Sequence, residues 1–240
     1  MNIRTATAPT GFRAVARDWL AENFPASLTG RHEDWVIHQP LYPEGDDWAA
    51  WKAAMADKGW AVPTWPAEYG GGGLSEAEAK ILKEEMDAIG AFSPIGGMSQ
   101  NMFGPTLLEF GTEEQKRRHL PPVVRGDIRW CQGYSEPGAG SDLAGLKTRA
   151  EDMGDHFLVN GQKIWTSGSV HAHWCFCLVR TDTTKKHEGI SFLLIDMSTP
   201  GIEVRPLLLM SGNSTFGEVF FTDVKVPKEN LVGGLTEGWT

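Results

Sequence analysis

Apolar positions recur every three to four residues along the first half of the chain and every second residue after Gly126. In "FRAVARDWLAENF" the helical spacing puts Phe12, Val15, Trp19 and Leu20 on one side. "DDWAAWKAAMADKG" repeats Trp48, Trp51 and Met55 at the same period; Asp46 or Asp47 is the expected cap and Gly59 the stop. "LSEAEAKILKEEMDAIG" opens with Ser75–x–x–Glu78, the pattern of a capping box, carries Ala79, Leu82, Met86 and Ile89 as its stripe, and ends at Gly90. A further helix should end near Gly111, and Thr112–x–x–Gln115 caps another that is expected to stop before Pro121–Pro122. The intervening "VPTWPAEYGGGG" holds too much Pro and Gly for regular structure.

Beyond Gly126 the segments are short and bounded by Gly, Pro or Asp: "IRWCQGY", "DHFLVNGQKIWTS", "HWCFCLVRT", "GISFLLIDM", "IEVRPLL" and "GEVFFTDVKV". Asn160–Gly161 reads as the type I′ turn of a hairpin. No helix-length pattern separates these strands, so antiparallel pairing is expected. The fold class is therefore α+β: an all-helical N-terminal domain over residues 1–127, then an antiparallel β-barrel or sandwich over 128–235.

Charge narrows the class of partner. A net charge of −9 argues against nucleic acid, whose phosphates call for a basic face, although backbone N–H groups still allow a phosphate-bearing small molecule. No run approaches the roughly 20 apolar residues of a membrane span. Three arginines and no acid in residues 1–17 are shared by transit peptides, but the helical spacing there favours a helix and a cytoplasmic protein. Cys131, Cys175 and Cys177 are too few for a disulfide framework and read as reduced, buried thiols. His171 and His173 alternate along a strand without a third ligand, Met98 and Met102 fit a helix core, and Lys185–Lys186 fit a solvated turn.

The stretch carrying candidate chemistry is "SEPGAGSD" at 135–142. It lacks the third glycine and the βαβ context of a dinucleotide fingerprint, and the Gly-Lys-Ser/Thr of a Walker loop. Two readings remain: a wide turn capped by Asp142, or a broad loop whose N–H groups and hydroxyls (Ser135, Ser141) surround an anion or a polar ring edge. "IWTSGS" at 164–169 adds an aromatic and two hydroxyls at a strand end, which suits a flat, polar-edged ring if the two segments meet.

"CQGYSEPGAGSDLAGLKTRAE", "VNGQKIWTSG" and "FGEVFFTDVKVPKENLVG…GW", in that order and spacing, resemble the acyl-CoA dehydrogenase family, and "FGTEEQKRRHLPPVVRGD" and "AVPTWPAEYGGGGLS" fit as well. The resemblance implies an N-terminal helical domain, a middle β domain and a C-terminal helical domain, of which residues 236–240 would be the start. It implies FAD as cofactor, an acyl-CoA as substrate, trans-2-enoyl-CoA as product, an electron-transfer flavoprotein as electron acceptor, and a homo- or hetero-oligomer. By the same resemblance Gln132, Tyr134 and Ser135 lie along the isoalloxazine, Gly140 and Ser141 meet the ribityl-pyrophosphate, and Ser141 is also near the thioester. Trp165 packs beside the flavin and Ser167 bonds near N5, where the family often has Thr. The family's general base, a glutamate, is expected beyond residue 240, and Glu136 reads as structural. Tyr134, where many members have a smaller apolar residue, resembles bacterial variants acting on dicarboxylic, cyclic or steroid side-chain acids, some built from two unlike subunits. The alternatives are a non-catalytic FAD- and CoA-binding subunit of a heteromeric complex, or a relative such as a nitroalkane oxidase.

Overall fold

The computed structural model describes residues 11–31 and 45–239, so the first ten residues of the arginine-bearing N-terminus lie outside it. The chain forms two compact units, 1–96 with 119–127 and 97–118 with 128–240.

In the first unit, helices α1 (Phe12–Asn23), α2 (Asp46–Asp57) and α3 (Glu76–Ala88) bury Leu20, Trp51, Met55 and Leu82. Trp19 lies 5.9 Å from the Trp51 ring and 4.8 Å from that of Trp60, and the Trp51 indole N–H donates to the Phe92 carbonyl at 2.9 Å. Val15 is exposed, because the buried side of α1 runs through Ala16 and Leu20 instead. The Ser75–Glu78 capping box forms on α3, satisfying two N–H groups that have no partner within the helix. Neither Asp46 nor Asp47 caps α2; the N-cap is Gly45, and the two carboxylates occupy the first turn, where the helix dipole favours negative charge.

Helix α4 (Gly104–Phe110) follows a π-turn over Ser99–Phe103 and ends at Gly111. Helix α5 (Glu113–Val124) opens with reciprocal Thr112–Gln115 bonds and continues through Pro121–Pro122. An interior proline costs about 3 kcal/mol. Here that cost is offset by burial of Leu120, Val123 and Val124, each worth about 2 kcal/mol.

The second unit holds one eight-stranded sheet: β1 (Trp130–Gly133), β2 (Arg149–Asp152), β3 (His156–Ser167), β4 (Trp174–Arg180), β5 (Ile190–Asp196), β6 (Ile202–Leu207), β7 (Phe216–Pro227) and β8 (Leu231–Val232). The order is β6-β7-β3-β2-β4-β5-β8, with β1 paired to β4 off this path. The sheet is open and mixed, which corrects the purely antiparallel barrel or sandwich expected from sequence. β1 and β2 both run parallel to β4, while the other pairs are antiparallel. Parallel neighbours need a long crossover but not a helical one; the β2–β3 hairpin supplies it between β1 and β4, and β3 between β2 and β4. The core of this unit gathers Cys131, Phe157, Val159, Cys175, Cys177, Leu193 and Val219. Residues 97–118 belong with it because Phe103 stacks on Trp130 at 3.6 Å, while the Gln115 amide donates to the carbonyls of Glu229 (2.7 Å) and Leu231 (2.8 Å).

Asn160–Gly161 is not a hairpin turn. The β2–β3 turn lies at Met153–Asp155, closed by Met153 N–H donating to the His156 carbonyl at 2.9 Å, with Gly154 at φ +97°. Asn160–Gly161 continues through β3 opposite a bulge in β7, where Thr222 and Asp223 face Asn160 alone and the Asn160 side chain bonds both backbone and side chain of Asp223. Gly161 is required there: its φ is +153°, and a Cβ would stand 2.6 Å from Thr148 Cα.

Candidate functional site

Strand β3 itself bulges between Lys163 and Thr166. Released from β7, Ile164 turns to the 135–142 loop and its N–H donates to the Ser135 carbonyl at 2.9 Å. Trp165 sits at φ +60°, a conformation that costs a bulky residue roughly 1–3 kcal/mol, and the residue is 57% exposed, its ring meeting that of Phe216 edge-on at 6.0 Å. A strained backbone holding a large apolar ring in the open is a feature that packing alone does not produce.

Lys163 and Glu136 join the two segments at depth. The Lys163 side chain is fully buried, and its ammonium donates to Glu136 Oε1 at 2.9 Å and to the Tyr134 carbonyl at 3.0 Å. Glu136 also accepts from the backbone N–H groups of Lys147 (2.6 Å) and Thr148 (2.8 Å). Burial alone would raise the Glu136 carboxyl, but the Lys163 charge and these hydrogen bonds outweigh it and hold the group below the ordinary glutamate range. Glu136 is thus a structural anion with both oxygens engaged.

The loop itself turns tightly, with paired Glu136–Ala139 backbone bonds of 3.0 Å. Arg180, largely buried, donates to the carbonyls of Ala144 (2.6 Å), Lys185 (2.9 Å) and Lys186 (2.6 Å), fastening the segment that follows the loop to the β4–β5 connection. Lys186 and Asp142 pair at 2.8 Å on the surface.

Of the seven residues singled out from sequence, Gln132, Tyr134, Ser135 and Ser167 are half-buried, while Gly140, Ser141 and Trp165 are exposed. The Ile164–Ser135 and Lys163–Tyr134 bonds bring the β1 end and the β3 end together. Among the described residues, no hydrogen bond or ring contact joins Gly140 or Ser141 to Trp165 or Ser167. Tyr134 packs edge-on against Phe176 at 5.9 Å, and burial pushes its phenol up to about 12, so it stays neutral. A cleft of about 250 Å³ beside Pro137, Gly138, Lys147 and Gln162 includes none of the seven. The three thiols are free and buried, and no metal-binding group of His, Cys, Asp or Glu occurs among the described residues. His173 Nδ1 accepts from the Arg129 N–H at 3.0 Å.

Lys163 and Arg180 went unremarked in the sequence. Lys163 shares its side of β3 with Phe157 and Val159, and a charge in a core-facing position demands a buried acid; that was the available signal. Arg180 carries no such mark, because its partners are carbonyls.

Gly138 and Gly140 are the decisive contrast with Gly161. Neither has positive φ, and a Cβ on either would meet nothing within 4 Å. The folded chain itself has no need of glycine at these two positions.

The family model of the acyl-CoA dehydrogenase N-terminal domain matches residues 10–127, and that of the middle domain matches 131–224. The chain belongs to the acyl-CoA dehydrogenase family. It is 40% identical over 232 residues to the acyl-CoA dehydrogenase IpdE1 of Mycobacterium tuberculosis (strain ATCC 25618 / H37Rv), covering 95% of this chain and 59% of that protein. Among solved structures, the ChsE4–ChsE5 complex from Mycobacterium tuberculosis aligns with a TM-score of 0.73 at 36% identity, over 99% of this chain and 59% of the matched one. The Tcur3481–Tcur3483 steroid ACAD aligns at 0.74 and 34% identity, over 100% and 60%. The chain therefore spans about three fifths of the length of these acyl-CoA dehydrogenases. Among its described residues no helix is long and apolar enough to cross a membrane.

Proposed function

We propose that this acyl-CoA dehydrogenase chain binds FAD and an acyl-CoA, and serves the oxidation of the acyl Cα–Cβ bond to a trans-2-enoyl-CoA, with electrons leaving to an electron-transfer flavoprotein. The observation that carries the reading is the junction of the two motifs: a glycine loop with open space at Gly138 and Gly140, tied to a strand end that holds Trp165 strained and exposed. These residues fit a flat ring with a phosphate tail. Ser135 and Ser167 offer hydroxyls at the ring's polar edge, Gln132 and Tyr134 line the adjoining segment, and Trp165 offers a face. Gly140 and Ser141 serve the ribityl-pyrophosphate, and Ser141 also serves the thioester. When bound, FAD supplies the hydride acceptor. The chain's own contribution is to orient donors toward developing charge and to fix the thioester carbonyl, which acidifies the α-proton. The acceptor of that proton in this reading is a glutamate general base.

The acyl group is bulky and alicyclic in this reading, supported by likeness to the Tcur3481–Tcur3483 steroid ACAD. Likeness to the ChsE4–ChsE5 complex favours a second reading, in which the chain is a non-catalytic FAD- and CoA-binding subunit of a hetero-oligomer. Visible spectroscopy separates the two. The purified protein with FAD should show a perturbed flavin band that bleaches on anaerobic addition of a steroid-side-chain acyl-CoA. A bound band that persists selects the non-catalytic subunit. No perturbation at all with added FAD refutes both.

A further inference from the structure

Among the described residues Lys163 is the one fully buried side chain that carries a full charge, and its placement has a geometric consequence for the loop. Its ammonium takes the Tyr134 carbonyl at 3.0 Å while paired with Glu136 at 2.9 Å. A peptide unit is planar and trans, so its C=O and the following N–H point in opposite directions. With the Tyr134 carbonyl drawn onto the buried ammonium, the Ser135 N–H of the same unit points away from it. That N–H has no acceptor among the described residues, and the next residue, Glu136, is already anchored through its own backbone and side chain. The same lysine immediately precedes Ile164, whose N–H binds the Ser135 carbonyl, so the orientation of the loop and the entry to Trp165 share one buried support.

We propose that Lys163, held by Glu136, is a positioning residue that aims the Ser135 N–H at the bound flavin; the inference rests on the flavin reading above. Lys163 touches neither cofactor nor substrate and acts only through the Tyr134–Ser135 peptide. A donor fixed in advance costs no reorganisation when charge appears on its partner, and a buried ammonium is a stiffer support than a mobile side chain.

The test uses the protein reconstituted with FAD. In the wild type, the Ser135 amide resonance should move on FAD addition and again on reduction. Lys163→Met should favour oxidised over reduced flavin about tenfold more than the wild type does, the size of one well-aimed hydrogen bond, which is a fall of about 30 mV in the two-electron potential. Should that variant fail to fold around the unpaired Glu136 charge, Lys163→Met/Glu136→Gln removes both charges and is expected to show the same fall. Phe157→Leu, a core change of the same sheet, should lower the melting temperature and leave the potential alone. A Ser135 amide indifferent to flavin, or a folded Lys163 variant with wild-type potential and spectrum, overturns the assignment. Wild-type protein that takes up no FAD overturns the flavin reading itself, and this inference with it.

Discussion

Substituting Gly140 by alanine separates what the loop needs for folding from what it needs for binding. Gly140 has no positive φ, and an added Cβ meets no atom within 4 Å. The folded chain therefore accepts alanine without strain, while the unfolded chain loses freedom. The substitution should leave the flavin-free protein unchanged or stabilise it by about 0.4–1 kcal/mol, which is a rise of about 2 °C in Tm at this size. Binding should respond in the opposite sense. A methyl group in the space proposed for the ribityl-pyrophosphate is an overpacking change, worth about 1–3 kcal/mol. At 1.4 kcal/mol per factor of ten, that weakens FAD binding by roughly fivefold to somewhat over a hundredfold. The assay pairs thermal melts without FAD and a fluorescence-quenching titration with FAD, for wild type and Gly140→Ala. A folded variant with wild-type FAD affinity would show that nothing approaches the loop at this glycine. A large loss of Tm without flavin would show that the chain itself requires it, and either result refutes the reasoning.

Gly161→Ala should behave in the contrary way. Its Cβ would stand 2.6 Å from Thr148 Cα at an unfavourable φ, so denaturant melts should show a loss of about 2 kcal/mol even without ligand. Arg180→Ala leaves the carbonyls of Ala144, Lys185 and Lys186 without their donor, and should cost about 3 kcal/mol and raise hydrogen exchange in residues 143–146 and 185–189. Glu136→Gln should destabilise by about 3 kcal/mol at pH 7. Because the folded-state Glu136 pKa is lowered, the wild-type advantage is complete above the ordinary carboxylate value and disappears as pH falls through the lowered one. Urea melts taken downward from pH 7 should therefore show the gap between the two proteins narrowing once the pH passes below the ordinary carboxylate value; a gap that does not narrow at all refutes the ion-pair account.

Local patterns were enough for most elements, because period, caps and breakers are properties of neighbouring residues. The Ser75–Glu78 and Thr112–Gln115 boxes, the Trp48–Trp51–Met55 stripe and the strands over 174–180, 190–196, 202–207 and 216–227 follow from a few residues each. The motifs also announced the family, since their order and spacing lie in the sequence itself. Failures came where distant segments compete. Asn160–Gly161 has turn chemistry, but pairing with β7 on both sides keeps it inside the strand, opposite a bulge in β7. Pro121–Pro122 should end a helix, yet burial of their neighbours carries it through. The parallel pairing of β1 and β2 with β4 depends on where a crossover returns, which no local pattern records. The site follows the same division. Its glycines, serines and tryptophan were legible in the sequence as candidates only. Only the folded chain decides that Gly140 is unneeded by the protein while Gly161 is needed, and that Lys163 and Glu136 meet, 27 residues apart, because burying a charge is tolerable only where a partner is brought to it.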